Sequence, residues 1–347
     1  MRSFMLLLLL VSCTVQDEMT IGALLPLSGP NAVYGIEIQN AIELARNEIN
    51  AAGGINGQQL KIRYEDDQAS PVVGVNAMQK LLTVDNVHVV LGSWSSGVVL
   101  ATAPITEQQN VLVMASAIAP AISDAGDYVF RIQPSAHAYT ALSAALTYKT
   151  AAILHANTEF ATALKDAFLQ DFQGIVVAVE VYEEQDRDVR TQLTRIKEEM
   201  PELLFIAGYQ DTITVITQAH ELGITAQLLA GPPFESAATL AALGDLAEGV
   251  LYPYHFVPGE ARSRNYERAY YEQYGTPTGG FAPLMYDATH IIAHTLRACQ
   301  HNTTCMVHAL HEIRYEGVSG TITFDENGDP SIPLVMKTVR DGVFVRA

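Results

Sequence analysis

The chain has 347 residues, 49% of them hydrophobic and 17% charged, with 38 acidic against 20 basic side chains and a formal charge of −18. That composition is globular, excludes intrinsic disorder and suits two domains of ordinary size. The acidic balance excludes a nucleic-acid partner, which would call for a basic face.

The N-terminus reads as an export segment. Arg2 supplies a positive end and Leu6 to Leu10 an apolar run too short to span a bilayer. The ending Leu10-Val11-Ser12-Cys13 resembles the lipobox of exported prokaryotic lipoproteins, which implies cleavage before Cys13 and lipidation of its thiol. A plain secretory signal, or a short buried strand with an incidental thiol, is the alternative. Residues 1–18 are assigned to this leader and its linker. No later stretch reaches ~18 continuous apolar residues. The mature protein is therefore expected outside the cytoplasm, in the periplasm or on the outer cell surface, anchored through Cys13 without spanning the membrane.

β-rich and helical stretches then alternate. Ile21 to Leu25 forms a strand that breaks at Pro26 into Leu27-Ser28-Gly29-Pro30. Tyr34 opens a helix with Ile38, Ala41, Ile42, Ala45 and Ile49 on one face, closed by Gly53-Gly54 and the turn Asn56-Gly57. Leu60–Tyr64, Val87–Leu91 and Val111–Met114 are the next strands, separated by helical patterns. Beyond Gln133-Pro134-Ser135 come strands at Ala151–Leu154, Ile175–Tyr182, Leu203–Ala207 and Gln227–Ala230. Helices follow them at Glu159–Phe172, Asp188–Glu199, Asp211–Leu222 and Ser236–Leu243. Strict βα alternation predicts an α/β fold with mostly parallel sheets, and two such runs predict two domains. After Tyr252-Pro253-Tyr254 the pattern changes to helices at Ala261–Tyr274, Pro283–Cys299 and Met306–Ile313. The chain ends in β-rich Gly320–Phe324, a turn over 325–329, and strands at Val335–Val339 and Val343–Val345.

With Cys13 set aside, Cys299 and Cys305 are an even pair flanking a polar loop, and a disulfide is expected in an oxidising compartment. A metal site with His301 and His308 is the alternative, but it lacks the usual C-x₂₋₄-C spacing. His290 with His294, and His308 with His311, lack an H-E-x-x-H context and read as helix-face histidines. Neither a metal nor a cofactor is assigned. Gly92-Ser93-Trp94-Ser95-Ser96-Gly97 follows a strand as a nucleophile elbow would, yet its spacing is one residue too long and no His partner is identifiable. Gly53 to Gly57 follows a helix, so it is a turn and not a dinucleotide loop. An enzyme is not expected.

The motifs in family order resemble the type I periplasmic solute-binding proteins of branched-chain amino acid ABC importers. They are Leu25-Pro26-Leu27-Ser28-Gly29-Pro30, Tyr34-Gly35, Glu48 to Gly57, Glu65-Asp66-Asp67-Gln68, Ser95-Ser96-Gly97, Gly208-Tyr209, Tyr286-Asp287-Ala288 and Phe324 to Asp329. The resemblance implies two doubly wound parallel-sheet lobes joined by three hinge crossings, near Gln133–His137, Tyr252–Phe256 and Phe324–Pro330. The N-terminal lobe would hold 19–135 and 256–328, the C-terminal lobe 136–255 and 329–347. It also implies a monomer that closes on a small molecule and delivers it to an ABC permease complex in the membrane. A sensing module acting through a separate membrane partner has the same fold and is the alternative function.

Ser95 and Ser96 follow a strand and open a helix, where free N–H groups and hydroxyls hold an anion without Lys or Arg. The family holds its ligand carboxylate with such residues; a plain helix N-cap is the competing role. By the same resemblance Ser116 and Ala117 offer backbone groups, Tyr34 and Tyr209 face the cleft from opposite lobes, and Phe160 and Phe281 line the side-chain pocket. Trp94, the only tryptophan, shares the loop with Ser95. Two positions depart from the family pattern. Ile118 stands where a Thr commonly bonds the ligand's amino group. In Gly231-Pro232-Pro233-Phe234-Glu235, Pro233 stands where amino-acid binders carry a carboxylate, with Phe234 and Glu235 just beyond. Glu235 would reach the ligand only after a loop rearrangement. Losing two hydrogen bonds to an ammonium costs about 3–6 kcal/mol, on the order of 10²–10⁴ in dissociation constant. The expected ligand is a carboxylate or other small organic molecule without an α-amino group. Aromatic or branched aliphatic acids suit Trp94, Phe160, Phe281 and Ile118.

Overall fold

The computed structural model describes residues 18–347 except Val257. The leader with Cys13 lies outside the described residues. The first lobe begins with β1 (Glu18–Leu25), α1 (Ala32–Ala51), β2 (Gln59–Asp66), α2 (Pro71–Thr83), β3 (Val89–Gly92), α3 (Ser96–Gln108), β4 (Leu112–Ala115) and β5 (Val129–Arg131). Its five strands are parallel in the order β2-β1-β3-β4-β5. The central strands β3 and β4 are buried throughout, as continuous apolar runs covered on both faces should be.

The second lobe contains α4 (Ala136–Ala144), β6 (Thr150–Ala156), α5 (Glu159–Asp171), β7 (Ile175–Tyr182), α6 (Arg190–Glu198), β8 (Leu203–Ala207), α7 (Thr212–Glu221), β9 (Gln227–Ala230), α8 (Ala237–Leu243) and β10 (Leu251–Tyr254). The chain then returns to the first lobe as α9 (Arg264–Tyr274), α10 (Ala282–Cys299) and α11 (Thr303–Glu312). Tyr270 and Tyr274 of α9 donate their hydroxyls to the Glu37 and Asn40 carbonyls of α1. A small antiparallel sheet of β11 (Tyr315–Gly317), β12 (Gly320–Phe324) and β13 (Pro330–Ser331) follows. Finally β14 (Val335–Arg340) and β15 (Val343–Arg346) complete the second sheet, order β15-β14-β10-β9-β8-β6-β7, with β14 antiparallel to both its neighbours.

Three segments therefore cross between lobes. The last crossing lies later than the sequence suggests. Asp329 accepts from the guanidinium of Arg131, which is wholly buried in the first lobe, and Pro330 and Ser331 pair with β12. Residues 329–331 thus stay with the first lobe, and the transit runs over 332–334. A buried guanidinium needs a carboxylate partner, and that need fixes the strand before the hinge. No helix among the described residues is long and apolar enough to cross a membrane. The Cys299 and Cys305 sulfurs lie at bonding distance, with Cα atoms 5.6 Å apart.

The opening segment positions the cleft. α1 starts hard against the end of β1, because Gly35 lets it approach: a Cβ there would fall 2.0 Å from the Pro26 carbonyl oxygen. The preceding side chain, Tyr34, is thereby delivered to the interface between lobes.

Candidate functional site

A column of four aromatic rings crosses from one lobe to the other. Tyr34 stacks on Trp94 with centroids 4.6 Å apart, and Trp94 meets Tyr209 of the second lobe at 4.7 Å. Tyr209 stacks on Phe160 at 4.4 Å, and Phe281 stands edge-on to Tyr34 and Trp94. All five rings are buried. Each comes from a strand-end loop or the first turns of a helix, where open α/β sheets place ligands. Polar contacts tie the same two faces. The Tyr34 hydroxyl donates to the Pro233 carbonyl and accepts from Gln210 Nε2, both at 3.1 Å. Asn31 Nδ2 donates to Glu184 Oε1 at 3.0 Å.

Beside the column lies a cavity of about 220 Å³ with walls from both lobes: Asn31, Ser95 and Gly97 on one side, Phe160, Glu184 and Tyr209 on the other. A larger depression of about 400 Å³ near Tyr128 and His311 has first-lobe walls only, so lobe closure cannot enclose anything there. The two-lobed cavity meets the start of α3, and the Ser95 side chain makes no capping bond to that helix. Its first-turn N–H groups form an anion-binding end.

The loop beneath is held by polar contacts. Ser93 Oγ donates to Asp67 Oδ2 at 2.6 Å and accepts from the Ser95 N–H at 3.1 Å. Burial pushes the Asp67 carboxyl up to about 6. Ser96 Oγ accepts from the Ile118 and Ala119 N–H groups, 3.3 Å each, joining the second and third strand-end loops. Ser116 starts a directed chain through the hinges: its Oγ donates to Gln133 Oε1, and Gln133 Nε2 donates to the Tyr139 hydroxyl. The Tyr139 hydroxyl meets His255 Nδ1 at 3.0 Å, and His255 Nε2 meets the Gly280 carbonyl at 3.0 Å. A carbonyl only accepts, so Nε2 carries the proton and Nδ1 accepts from Tyr139. Burial pushes His255 down to about 3, which keeps this tautomer neutral.

Residues 18–342 match the sequence profile of the periplasmic binding protein family. The chain belongs to that family. It is thus an extracytoplasmic substrate-binding protein of the ABC-transporter type, not an enzyme. A Leu/Ile/Val-binding protein homologue of Brucella abortus is 24% identical over 329 residues, covering 91% of this chain and 88% of its own. BraC3, a Leu/Ile/Val-binding protein of Rhizobium johnstonii, is 28% identical over 246 residues, 68% of this chain and 67% of that one. Among solved structures, LivJ of Streptococcus pneumoniae in complex with isoleucine superposes with a TM-score of 0.89 at 23% identity, over 94% of this chain and 98% of LivJ. A solute-binding protein of Rhodopseudomonas palustris in complex with 3,4-dihydroxybenzoic acid gives 0.86 at 22% identity, over 95% and 96%.

In this binding protein Tyr34, Trp94, Ser95, Phe160, Tyr209 and Phe281 gather at the lobe interface. Ser96, Ser116, Ala117 and Ile118 form the buried floor, with Ile118 fully enclosed. Pro233 presents its carbonyl to Tyr34 from a short 3₁₀ turn, Pro232–Phe234. Two expected ligand contacts turn away. The Phe234 ring packs on Tyr252 and Phe344 inside the second lobe. Glu235 is buried against Lys337, whose Nζ lies 2.6 Å from Oε2 and 2.7 Å from Oε1, and Oε2 also accepts from the Tyr252 hydroxyl. Lys337 is itself fully buried and needs that carboxylate more than a ligand does. The 3₁₀ turn therefore ends the cleft at Pro233.

Asn31, Glu184 and Gln210 were not legible as site residues. Asn31 and Glu184 sit in polar loops that read as solvent-facing, and only lobe closure brings them together.

Proposed function

We propose that this binding protein captures a small organic carboxylate without an α-amino group, by closing its lobes on it, and delivers it as a monomer to an ABC permease. Lipidation of Cys13 would anchor it at the membrane, and a Cys299–Cys305 disulfide would staple α10 to α11. One observation carries the ligand reading. Glu235, two residues beyond the position where amino-acid binders carry a carboxylate for the ammonium, is committed to Lys337 and Tyr252. Ile118 and Pro233 supply nothing in its place. The uncapped start of α3 favours a carboxylate, and the Tyr209 and Phe160 rings favour an apolar body.

The range of ligands in structural neighbours accommodates this reading, since they include complexes with isoleucine, 3,4-dihydroxybenzoic acid and benzoate. Calorimetry of the mature protein with leucine, isoleucine and valine beside 4-methylpentanoate and benzoate tests it. Desamino acids are expected to bind, with the three amino acids weaker by about 10² or more. Submicromolar binding of any of the three overturns the proposal. For the anchor, Cys13→Ser is expected to release the protein from the membrane fraction.

A further inference from the structure

The cavity between the lobes is polar in a lopsided way. Two helices start at it, α3 from the first lobe and α5 from the second. The α5 end is already answered: Thr158 Oγ1 accepts from the Ala161 N–H at 3.2 Å, and Glu159 occupies the first turn. Its partial positive charge has its own carboxylate. The α3 end has neither a side-chain cap nor an acid in its first turn. Ser95, only 7% exposed, opens onto the cavity there, and its hydroxyl has no hydrogen-bond partner among the described residues. A nearly buried hydroxyl beside unpaired amides is built to be completed by a ligand oxygen.

The opposite wall asks for the reverse charge. It carries Glu184 beside Phe160 and Tyr209, and no Lys or Arg lines the cavity. Glu184 Oε1 accepts from Asn31, and Oε2 has no partner among the described residues. A plain organic anion bound here meets Glu159 and Glu184 with no countercharge beyond the α3 amides, so a ligand that adds a cation on that side binds tighter than one that does not. A carboxylate with one oxygen unpaired, facing a cavity that closure dries, is instead a setting for a cation.

We propose that the ligand is a small ω-amino acid, its carboxylate on the start of α3 and its distal ammonium on Glu184 of the opposite wall. The inference rests on the carboxylate reading above and adds the ligand's second charge. An α-amino acid keeps its ammonium beside the carboxylate at the first-lobe wall, and Ile118 and Pro233 offer it no side-chain acceptor. An ω-amino acid carries that charge across the cavity to the acidic wall. A volume of about 220 Å³ has room for a small amino acid of this kind.

The test is calorimetry of the mature protein with matched pairs: β-alanine against propionate, 4-aminobutyrate against butyrate, 5-aminopentanoate against pentanoate, with leucine as reference. At least one amino member is expected to bind about tenfold or more tighter than its desamino partner, the scale of one charge-assisted bond. Glu184→Gln keeps an acceptor for Asn31 while removing the charge, and should cut that preference to about threefold or less. Ser95→Ala should weaken both members of the pair equally. If the desamino acids or benzoate bind as well as every amino partner, or if the preference survives Glu184→Gln, the ω-amino inference falls while the carboxylate reading stands. Tight leucine binding overturns both. Binding of none of the amino probes overturns the inference.

Discussion

The hydroxyl of Tyr34, on the first helix of one lobe, donates to the carbonyl of Pro233 on the other at 3.1 Å. By the family resemblance, Pro233 stands where amino-acid binders carry a carboxylate for the ligand's ammonium, so here a lobe-to-lobe bond occupies the place of a lobe-to-ligand one. The protein can thus close partly on itself. Tyr34→Phe removes this bond and the one from Gln210. The closed state should lose about 1 kcal/mol, about fivefold in its population. Small-angle scattering of the ligand-free variant should show a larger radius of gyration, and ligand affinity should fall by a similar factor. Unchanged scattering and affinity would mean that the bond does not hold the lobes.

Trp94 reports the same motion. It is the only tryptophan and lies between Tyr34 and Tyr209, rings of opposite lobes. Its emission should therefore be that of a buried indole in the closed protein. Tyr209→Ala removes the second-lobe ring and admits water, so emission should shift to longer wavelength and acrylamide quenching should rise. Equal quenching in both proteins would place Trp94 outside the closing interface.

Glu235 and Lys337 test stability apart from binding. Lys337 lies fully buried on the rings of Tyr252, Tyr254 and Phe344, with Glu235 as its counter-ion. Lys337→Met leaves the Glu235 carboxylate unpaired and should cost about 3–5 kcal/mol in urea unfolding. Adding Glu235→Gln, which still accepts from Tyr252, should recover most of the loss. Ligand affinity per folded molecule should stay unchanged in the double variant; a loss there would return Glu235 to the site.

The alternation of β-rich and amphipathic segments made the α/β lobes legible, and β7, β8 and β9 begin and end where their patterns do. Short strands escaped. β5 has three residues, and β10 is interrupted by Pro253, so neither carries a period long enough to read. The family motifs singled out Tyr34, Ser95, Tyr209 and Phe281, with Trp94 on the Ser95 loop, and the fold gathers them because the first lobe's and Tyr209's segments follow strand ends and Phe281 caps α10. Phe234 and Glu235 misled for a physical reason: one 3₁₀ turn reverses their direction, and Lys337, 102 residues away, decides where Glu235 points. Such a partner is invisible to local pattern. The Arg131–Asp329 pair, which delays the last crossing, is hidden in the same way.

The buried acids give stability an unusual pH profile. Burial raises Glu37 to about 7 and Asp67, Asp211 and Asp287 to about 6. A carboxyl whose folded pKa lies above its unfolded value binds more protons when folded. Its contribution is complete below the unfolded pKa, near 4, and is lost as pH rises through 6 to 7. His255 works oppositely. Its folded value of about 3 lies below the ordinary 6.5, so the unfolded chain takes up the proton first and stability falls as pH drops from 6.5 toward 3. Four carboxyls favour acidification from pH 7.5 to 5.5, while His255 and His155, both pushed down by burial, oppose it, so the urea midpoint should be higher at pH 5.5 than at 7.5. It should then decline below pH 5 as His255 comes to dominate. His255→Gln can still accept from Tyr139 and donate to Gly280, and it should flatten that acid decline while leaving the rise from pH 7.5 to 5.5 in place. A midpoint that falls steadily from pH 7.5 to 5.5 in the wild-type protein would mean that the four carboxyls are solvated in solution.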